Sequence, residues 1–172
     1  MFSIIIPRAW VKNFNTLPAC VCLAIFGEIS PNIDVKFKWP NDILHGDLKV
    51  AGLLAEKTES GVIVGVGINV STPKSELPVS HATSIFLATN ALLNRNMLLA
   101  QILNNLEADL LSWQGGKDLT SKYRELSATI GREVRVELPD GSKIEGTAAD
   151  IDETGSLHLD NGQRITVGDV VH

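Results

Sequence analysis

A chain of 172 residues, 44% of them hydrophobic, can bury a substantial core and suits one main domain with a small appendage. Its 15 Lys and Arg against 20 Asp and Glu leave a formal charge of -5, the wrong sign for a general nucleic-acid binder. Cys20 and Cys22 form neither a CxxC pair nor part of a His/Cys cluster. That argues against metal or redox chemistry and fits small buried hydrophobes in a reducing cytoplasm.

The chain opens on Phe2–Pro7, which is apolar, strand-like, too short to span a membrane and without the charged start of a secretory signal. The expectation is a soluble, cytoplasmic protein. Its core-like first residues are an odd start, because termini are usually polar and loosely held. Leu17–Ile29 is apolar nearly all round and reads as a buried helix, with Pro18 tolerated in its first turn. From 34 to 39, apolar Val35, Phe37 and Trp39 alternate with Lys36 and Lys38, the period of a strand with one face buried. Pro40 ends that strand, and Asn41 and Asp42 suit a turn. His45-Gly46-Asp47 reads as a second reversal, followed by strands at 48–56 and 62–70. The result is an antiparallel meander.

Residues 71–87, with Pro73, Pro78 and small polar residues, read mainly as loop. The longest helix is expected at 97–113, with Leu99, Ile102, Leu103, Leu106, Leu110 and Trp113 on one stripe, stopped by Gly115-Gly116. A shorter helix at 119–126 places Tyr123 on its apolar side. Composition changes near Ala128. From Glu133 onward come short alternating strands separated by Pro139-Asp140-Gly141, Glu153-Thr154-Gly155 and Asp160-Asn161-Gly162. About four or five such strands suggest a small barrel.

The polar residues of the meander are the candidates for chemistry. Lys38, Asn41, Asp42 and Lys49 fall at the facing ends of neighbouring strands and are expected to converge on one small volume. Gly65 and Gly67 interrupt the third strand, where glycine often marks the close approach of a ligand or of another backbone, and Asn69 follows. Two cations, a carboxylate, two amides and bare backbone suit a molecule bearing phosphate or carboxylate. Trp39 reads as core. His45 reads as a hairpin residue, and His81, His158 and His172 have no visible partners; none is assigned chemistry.

Three blocks together resemble the biotin protein ligases, also called biotin–[acetyl-CoA-carboxylase] ligases. They are Lys38-Trp39-Pro40-Asn41-Asp42, Lys49-Val50-Ala51-Gly52-Leu53-Leu54-Ala55-Glu56 and Gly65-Val66-Gly67-Ile68-Asn69-Val70, with Ala82-Thr83-Ser84 matching a later step of the family. The resemblance implies an α+β fold: a mainly antiparallel sheet with packed helices, the class II synthetase-like ligase core, at 1–127, then a small SH3-like β-barrel at 128–172. It also implies a two-step reaction. Biotin and ATP give biotinyl-5'-AMP and pyrophosphate, and the biotinyl group then passes to a lysine of a biotin carboxyl carrier domain.

In that resemblance Lys49 is the catalytic cation, neutralising the biotin carboxylate and the α-phosphate, and Lys38 is a phosphate contact. Asn41 and Asp42 sit at the ATP end, Asp42 through Mg²⁺, which favours hard oxygen ligands. Gly52 and Leu54 line the biotin side, while Gly65, Gly67 and Asn69 approach the adenylate. Substrates are ATP and biotin with Mg²⁺; no nucleic acid or membrane is implied, and a homodimer through the sheet is allowed by analogy.

The sequence departs from the family at its start. The Gly- and Arg-rich loop that closes over biotin and adenylate has no counterpart here, and Arg8 and Lys12 lie after the matching strand. The expectation is therefore a ligase lacking the first part of its catalytic domain, with activity lost or reduced. The alternatives are a non-catalytic remnant that binds a nucleotide or a partner, and a lipoate-type acyl ligase.

Overall fold

The computed structural model describes residues 1–172. Its first sheet contains β1 (Phe2–Pro7), β2 (Lys36–Lys38), β3 (Asp42–His45), β4 (Leu48–Lys57) and β5 (Gly61–Ile68). All neighbours are antiparallel, in the order β1-β5-β4-β3-β2. Alternation gives the sheet two unlike faces. Val62, Val64 and Val66 of β5 and Leu53 of β4 join a core with the helices α1 (Leu17–Ile29) and α3 (Arg95–Gln114). The other face carries Ile5, Leu54, Ile63, Gly65 and Gly67, and Ile5 and Leu54 are 71% and 62% exposed.

The meander has one strand more than the sequence pattern suggested. Asp42 is not a turn residue but the first residue of β3, because Ile43 and Leu44 behind it are both buried and pair across to β4. The turn is confined to the residues before it. On α3 the buried stripe is Leu98, Ile102, Leu106, Leu110 and Trp113. Leu98 is therefore the inward residue of the first turn, while Leu103, expected on the stripe, is 37% exposed. Between β5 and α3 lies α2 (Ile85–Thr89), whose N-cap Ser84 accepts a hydrogen bond from Leu87 N–H.

The second sheet comprises β6 (Glu133–Glu137), β7 (Lys143–Ile151), β8 (Leu157–Leu159), β9 (Arg164–Ile165) and β10 (Asp169–Val171), in the order β10-β6-β7-β8-β9. Its outer strands β10 and β9 are not paired with each other, so the sheet does not close into a barrel. The turn glycines Gly141, Gly155 and Gly162 sit at φ of 83°, 81° and 83°, the left-handed region that the turn signals demanded.

The two sheets share one hydrophobic core. Phe37 of β2 stacks on Tyr123 of α4 (Thr120–Glu125) with ring centroids 4.9 Å apart. The Phe37 N–H donates to Leu126 O at 2.8 Å, and Ala128 N–H donates to Phe37 O at 2.7 Å. Trp39 N–H donates to Thr129 Oγ1 at 3.0 Å, and its indole Nε1–H donates to Gly155 O at 2.9 Å. The strand that carries Lys38 is thus held by the second sheet along its length.

Cys20 and Cys22 are free and fully buried in α1. Burial first, then the Asp109 carboxylate, pushes the Cys20 thiol up to about 12, with Lys117 opposing. Burial likewise raises Cys22. A raised pKa keeps both as unreactive thiols throughout neutral and mildly alkaline pH. A thiol-specific disulfide reagent at pH 8 is expected to label neither cysteine in the folded protein and both in urea. Labelling of the native chain as fast as the unfolded one would contradict this packing.

Candidate functional site

Lys49 is fixed first by its backbone. Its N–H donates to His81 O at 2.8 Å, and its carbonyl accepts from Thr83 N–H at 2.9 Å. The buried Ala82-Thr83-Ser84 segment therefore runs beside the start of β4 as a parallel bridge. Asn69 reinforces the same place. Its side-chain amide donates to Thr83 O at 3.0 Å, and its own N–H donates to Val50 O at 2.9 Å.

A β-bulge then aims the lysine. Ile43 and Leu44 are consecutive on β3 but face Ala51 and Lys49 on β4, leaving Val50 as the extra residue. In an unbroken strand Lys49 and Gly52 would point to opposite faces. The bulge lets Val50 and Ala51 both turn into the core, at 0% and 2% exposure, and brings Lys49 to the same face as Gly52. There the Lys49 ammonium meets Asp42 Oδ1 at 2.6 Å. A Cβ on Gly52 would lie 2.7 Å from Lys49 Nζ and 2.9 Å from Asp42 Oδ1. Gly52 is bare because the ion pair lies across it.

This ion pair stands between two concavities. The first, about 420 Å³, is lined by Lys49, Gly52, Leu54, Gly65, Gly67 and Asn69, with Pro78 and Ala82 at its side. Gly52 and Gly67 are cross-strand partners, as are Leu54 and Gly65, so part of the floor is bare backbone. An added Cβ would find nothing nearer than 3.9 Å at Gly65 or Gly67. The second, about 560 Å³, is lined by Lys38, Asp42 and Lys49 from the first sheet, with Asp47, Arg132 and His172 among the rest. Burial first, then the positive charges of Lys38 and Arg132, push the His172 imidazole down to about 4, with Asp47 opposing.

The nine expected residues do not share one volume. Lys49, Gly52, Leu54, Gly65, Gly67 and Asn69 line the first concavity, and Lys38 and Asp42 line the second. Asn41 lines neither. Its amide is committed to Leu53 O, and its carbonyl accepts from Leu53 N–H at 3.0 Å. It faces a third cavity with Trp39 and Leu54, between the two sheets. Asn41 is a clamp on β4 because its backbone and side chain both pair with the strand, leaving Asp42 as the residue that reaches Lys49. No group of three or more His, Cys, Asp or Glu side chains is placed to hold a metal.

Sequence reasoning missed the contributions of Arg132, of His172 and of the Asp152 turn. Burial opposes the Asp152 charge, yet hydrogen bonds from Thr154, His158, Arg164 and Ser156 outweigh it and hold the carboxyl well below the usual carboxylate range. Asp152 fixes the turn whose Gly155 carbonyl receives the Trp39 indole. The Asp-x-Thr-Gly-Ser spacing is a readable turn signal, but nothing in it indicates the distant tryptophan. His158, assigned no role, bonds Asp152 Oδ2 at 2.8 Å.

Residues 12–72 match the family model described as Biotin/lipoate A/B protein ligase family, and residues 129–172 match Biotin protein ligase C terminal domain. The chain is 39% identical to the biotin–[acetyl-CoA-carboxylase] ligase of Mycobacterium tuberculosis, over 94% of this chain and 64% of that protein. It is 32% identical to the bifunctional ligase/repressor BirA of Escherichia coli, over 73% of this chain and 41% of that one. Among solved structures, the biotin protein ligase from Aquifex aeolicus in complex with biotin and ATP superposes with a TM-score of 0.85. It is 25% identical, and the match covers 99% of this chain and 76% of that one. The chain spans less than two thirds of the length of the curated relatives it matches. No helix is long and apolar enough to cross a membrane.

The glycines of the site separate from a purely structural one. A Cβ on Gly61 would strike the backbone carbonyl of Ile6, whereas Gly52 faces only the flexible ends of Lys49 and Asp42. Gly65→Ala, Gly67→Ala and Gly52→Ala are expected to stay within about 1 kcal/mol of the parent in urea unfolding, and Gly61→Ala to lose about 2–4 kcal/mol. Equal losses at Gly61 and Gly67 would contradict the open floor.

Proposed function

The chain belongs to the biotin protein ligase family, and from that premise we propose that it forms biotinyl-5'-AMP from biotin and ATP and transfers biotin to a lysine of a biotin carboxyl carrier domain. The observation that carries this reading is the Lys49 ammonium, held over bare Gly52 at the wall between an apolar-lined concavity and a cationic one. An acid and a nucleotide must meet at one cation for the first step, and this wall offers one.

In that step a carboxylate oxygen of biotin attacks the α-phosphorus of ATP. The bond from that phosphorus to the bridging oxygen breaks, and pyrophosphate leaves with the electron pair. Lys49 offsets the negative charge of both reactants as they approach, and Asp42 fixes where the ammonium sits. Gly52 and Leu54 form the biotin side, where the exposed Leu54 supplies apolar surface. Gly65, Gly67 and Asn69 take the adenylate against bare backbone, and Lys38 contacts phosphate. Asn41 serves indirectly, by keeping Asp42 in register.

Mg²⁺ usually keeps several waters and is held by one or two carboxylates together with substrate phosphates. Asp42 fits as such a carboxylate, since Lys49 occupies its Oδ1, and the ion would arrive with the nucleotide. In the second step the acceptor amine attacks the acyl carbon, AMP departs with the electron pair of the anhydride bond, and the amine proton passes to water. The reading divides the chain into a catalytic part, 1–127, and a C-terminal part, 128–172, and places it in the cytoplasm. It also allows a homodimer through the sheet, where β1 is an edge strand.

Biotin-dependent exchange of labelled pyrophosphate into ATP tests the first step without an acceptor. Exchange is expected with the parent chain and biotin, and a loss of about a hundredfold or more in Lys49→Ala. Absence of exchange in folded protein, or exchange indifferent to Lys49, would overturn the catalytic reading; binding of biotin and ATP without exchange would leave a binding protein.

A further inference from the structure

Arg132 stands outside all three sequence blocks, yet it faces them. The second sheet carries it to the mouth of the concavity shared by Lys38, Asp42 and Lys49. Its backbone is pinned there: Arg132 N–H donates to Thr129 O at 3.1 Å, and its carbonyl accepts from Ala148 N–H at 2.9 Å. The preceding Gly131, at a φ of 84°, makes the turn that presents it.

Its guanidinium is only partly used. Nη1 meets Asp47 Oδ1 at 3.0 Å and His172 Nδ1 at 3.3 Å, while Nε and Nη2 have no hydrogen-bond partner. Asp47 itself is 80% exposed and free to move. Lys38, across the concavity, forms no ion pair. Two cations with donors to spare face one volume, and a guanidinium fork suits two oxygens of one phosphate group. The low pKa of the His172 imidazole agrees with the positive field that Lys38 and Arg132 create there.

The place of this volume gives it a role. Displacement at phosphorus runs in line, so the leaving group departs on the side opposite the attacking oxygen. Lys49 lines both concavities, the bare-floored one and the cationic one. With the acid in the first and the α-phosphate at Lys49, the leaving group enters the second. We propose that this cationic concavity takes the pyrophosphate released by adenylation, and that Arg132 is a pyrophosphate-binding residue supplied by the second sheet. The leaving-group role rests on the adenylation reading above. It makes the second sheet part of the nucleotide site.

The test is calorimetric titration of inorganic pyrophosphate with Mg²⁺ into the parent chain, Arg132→Gln, Lys38→Gln and Asp47→Asn, each checked for folding by thermal melting. Arg132→Gln and Lys38→Gln are each expected to weaken binding about tenfold, the loss of one charge-assisted contact. Asp47→Asn, which breaks the ion pair but leaves the guanidinium, is expected to bind as tightly or tighter. No binding to the parent chain, unchanged binding in Arg132→Gln, or a loss in Asp47→Asn equal to that in Arg132→Gln would overturn the proposal. The last would mean that Arg132 matters only through its ion pair. Arg132-dependent binding in a chain without biotin-dependent exchange would uphold the anion site while removing the ligase reading. Exchange with pyrophosphate binding indifferent to Arg132 would do the reverse.

Discussion

One residue out of register organises this site. Val50 is the extra residue of a bulge, and it turns Lys49 onto the face that carries Gly52, Gly65 and Gly67. Without it the ammonium would point into the core, where an unpaired charge is costly. With it, the ammonium rests on Asp42 across a glycine that leaves just enough room. The ion pair is part exposed, and its Coulomb energy is screened by solvent. Its value is positional: it sets a cation at a defined point, and the flanking surfaces are shaped around that point.

The second sheet is tied to this point from behind. Trp39 follows Lys38, and its indole is received by the Gly155 carbonyl while its amide is held by Thr129. Asp152 fixes the turn that offers Gly155. A small sheet attached only by a linker could change its angle freely. Here the shared core and these hydrogen bonds fix how Arg132 approaches Lys38. The C-terminal sheet is thus a structural support for the strand that carries the site, and the proposed pyrophosphate contact adds a chemical reason for the attachment.

Much of this was legible in the sequence because it depended on local periodicity. Phe2–Pro7 and Leu17–Ile29 follow from unbroken apolar patterning, and the three turn glycines of the second sheet follow from Pro, Asp and Asn beside them. Lys49, Gly52, Leu54, Gly65, Gly67 and Asn69 could be grouped because they lie on adjacent strands of one meander. What failed were features set at a distance. β3 is four residues long and its inward pair, Ile43 and Leu44, shows no alternation, so Asp42 looked like a turn. Asn41 seemed free to bind a ligand because its partner, the Leu53 carbonyl, is defined only by the fold. Arg132 has no local signal at all, since its meaning comes from the face it meets across the seam.

The central claim is that the bulge-placed Lys49 ammonium is the meeting point of acyl group and phosphate. The most direct measurement is calorimetric titration of a non-hydrolysable biotinyl-adenylate analogue into the parent chain and into Lys49→Ala. The account predicts a single site in the parent and a loss of affinity of about tenfold or more without the lysine. Equal affinity in the two proteins would contradict it.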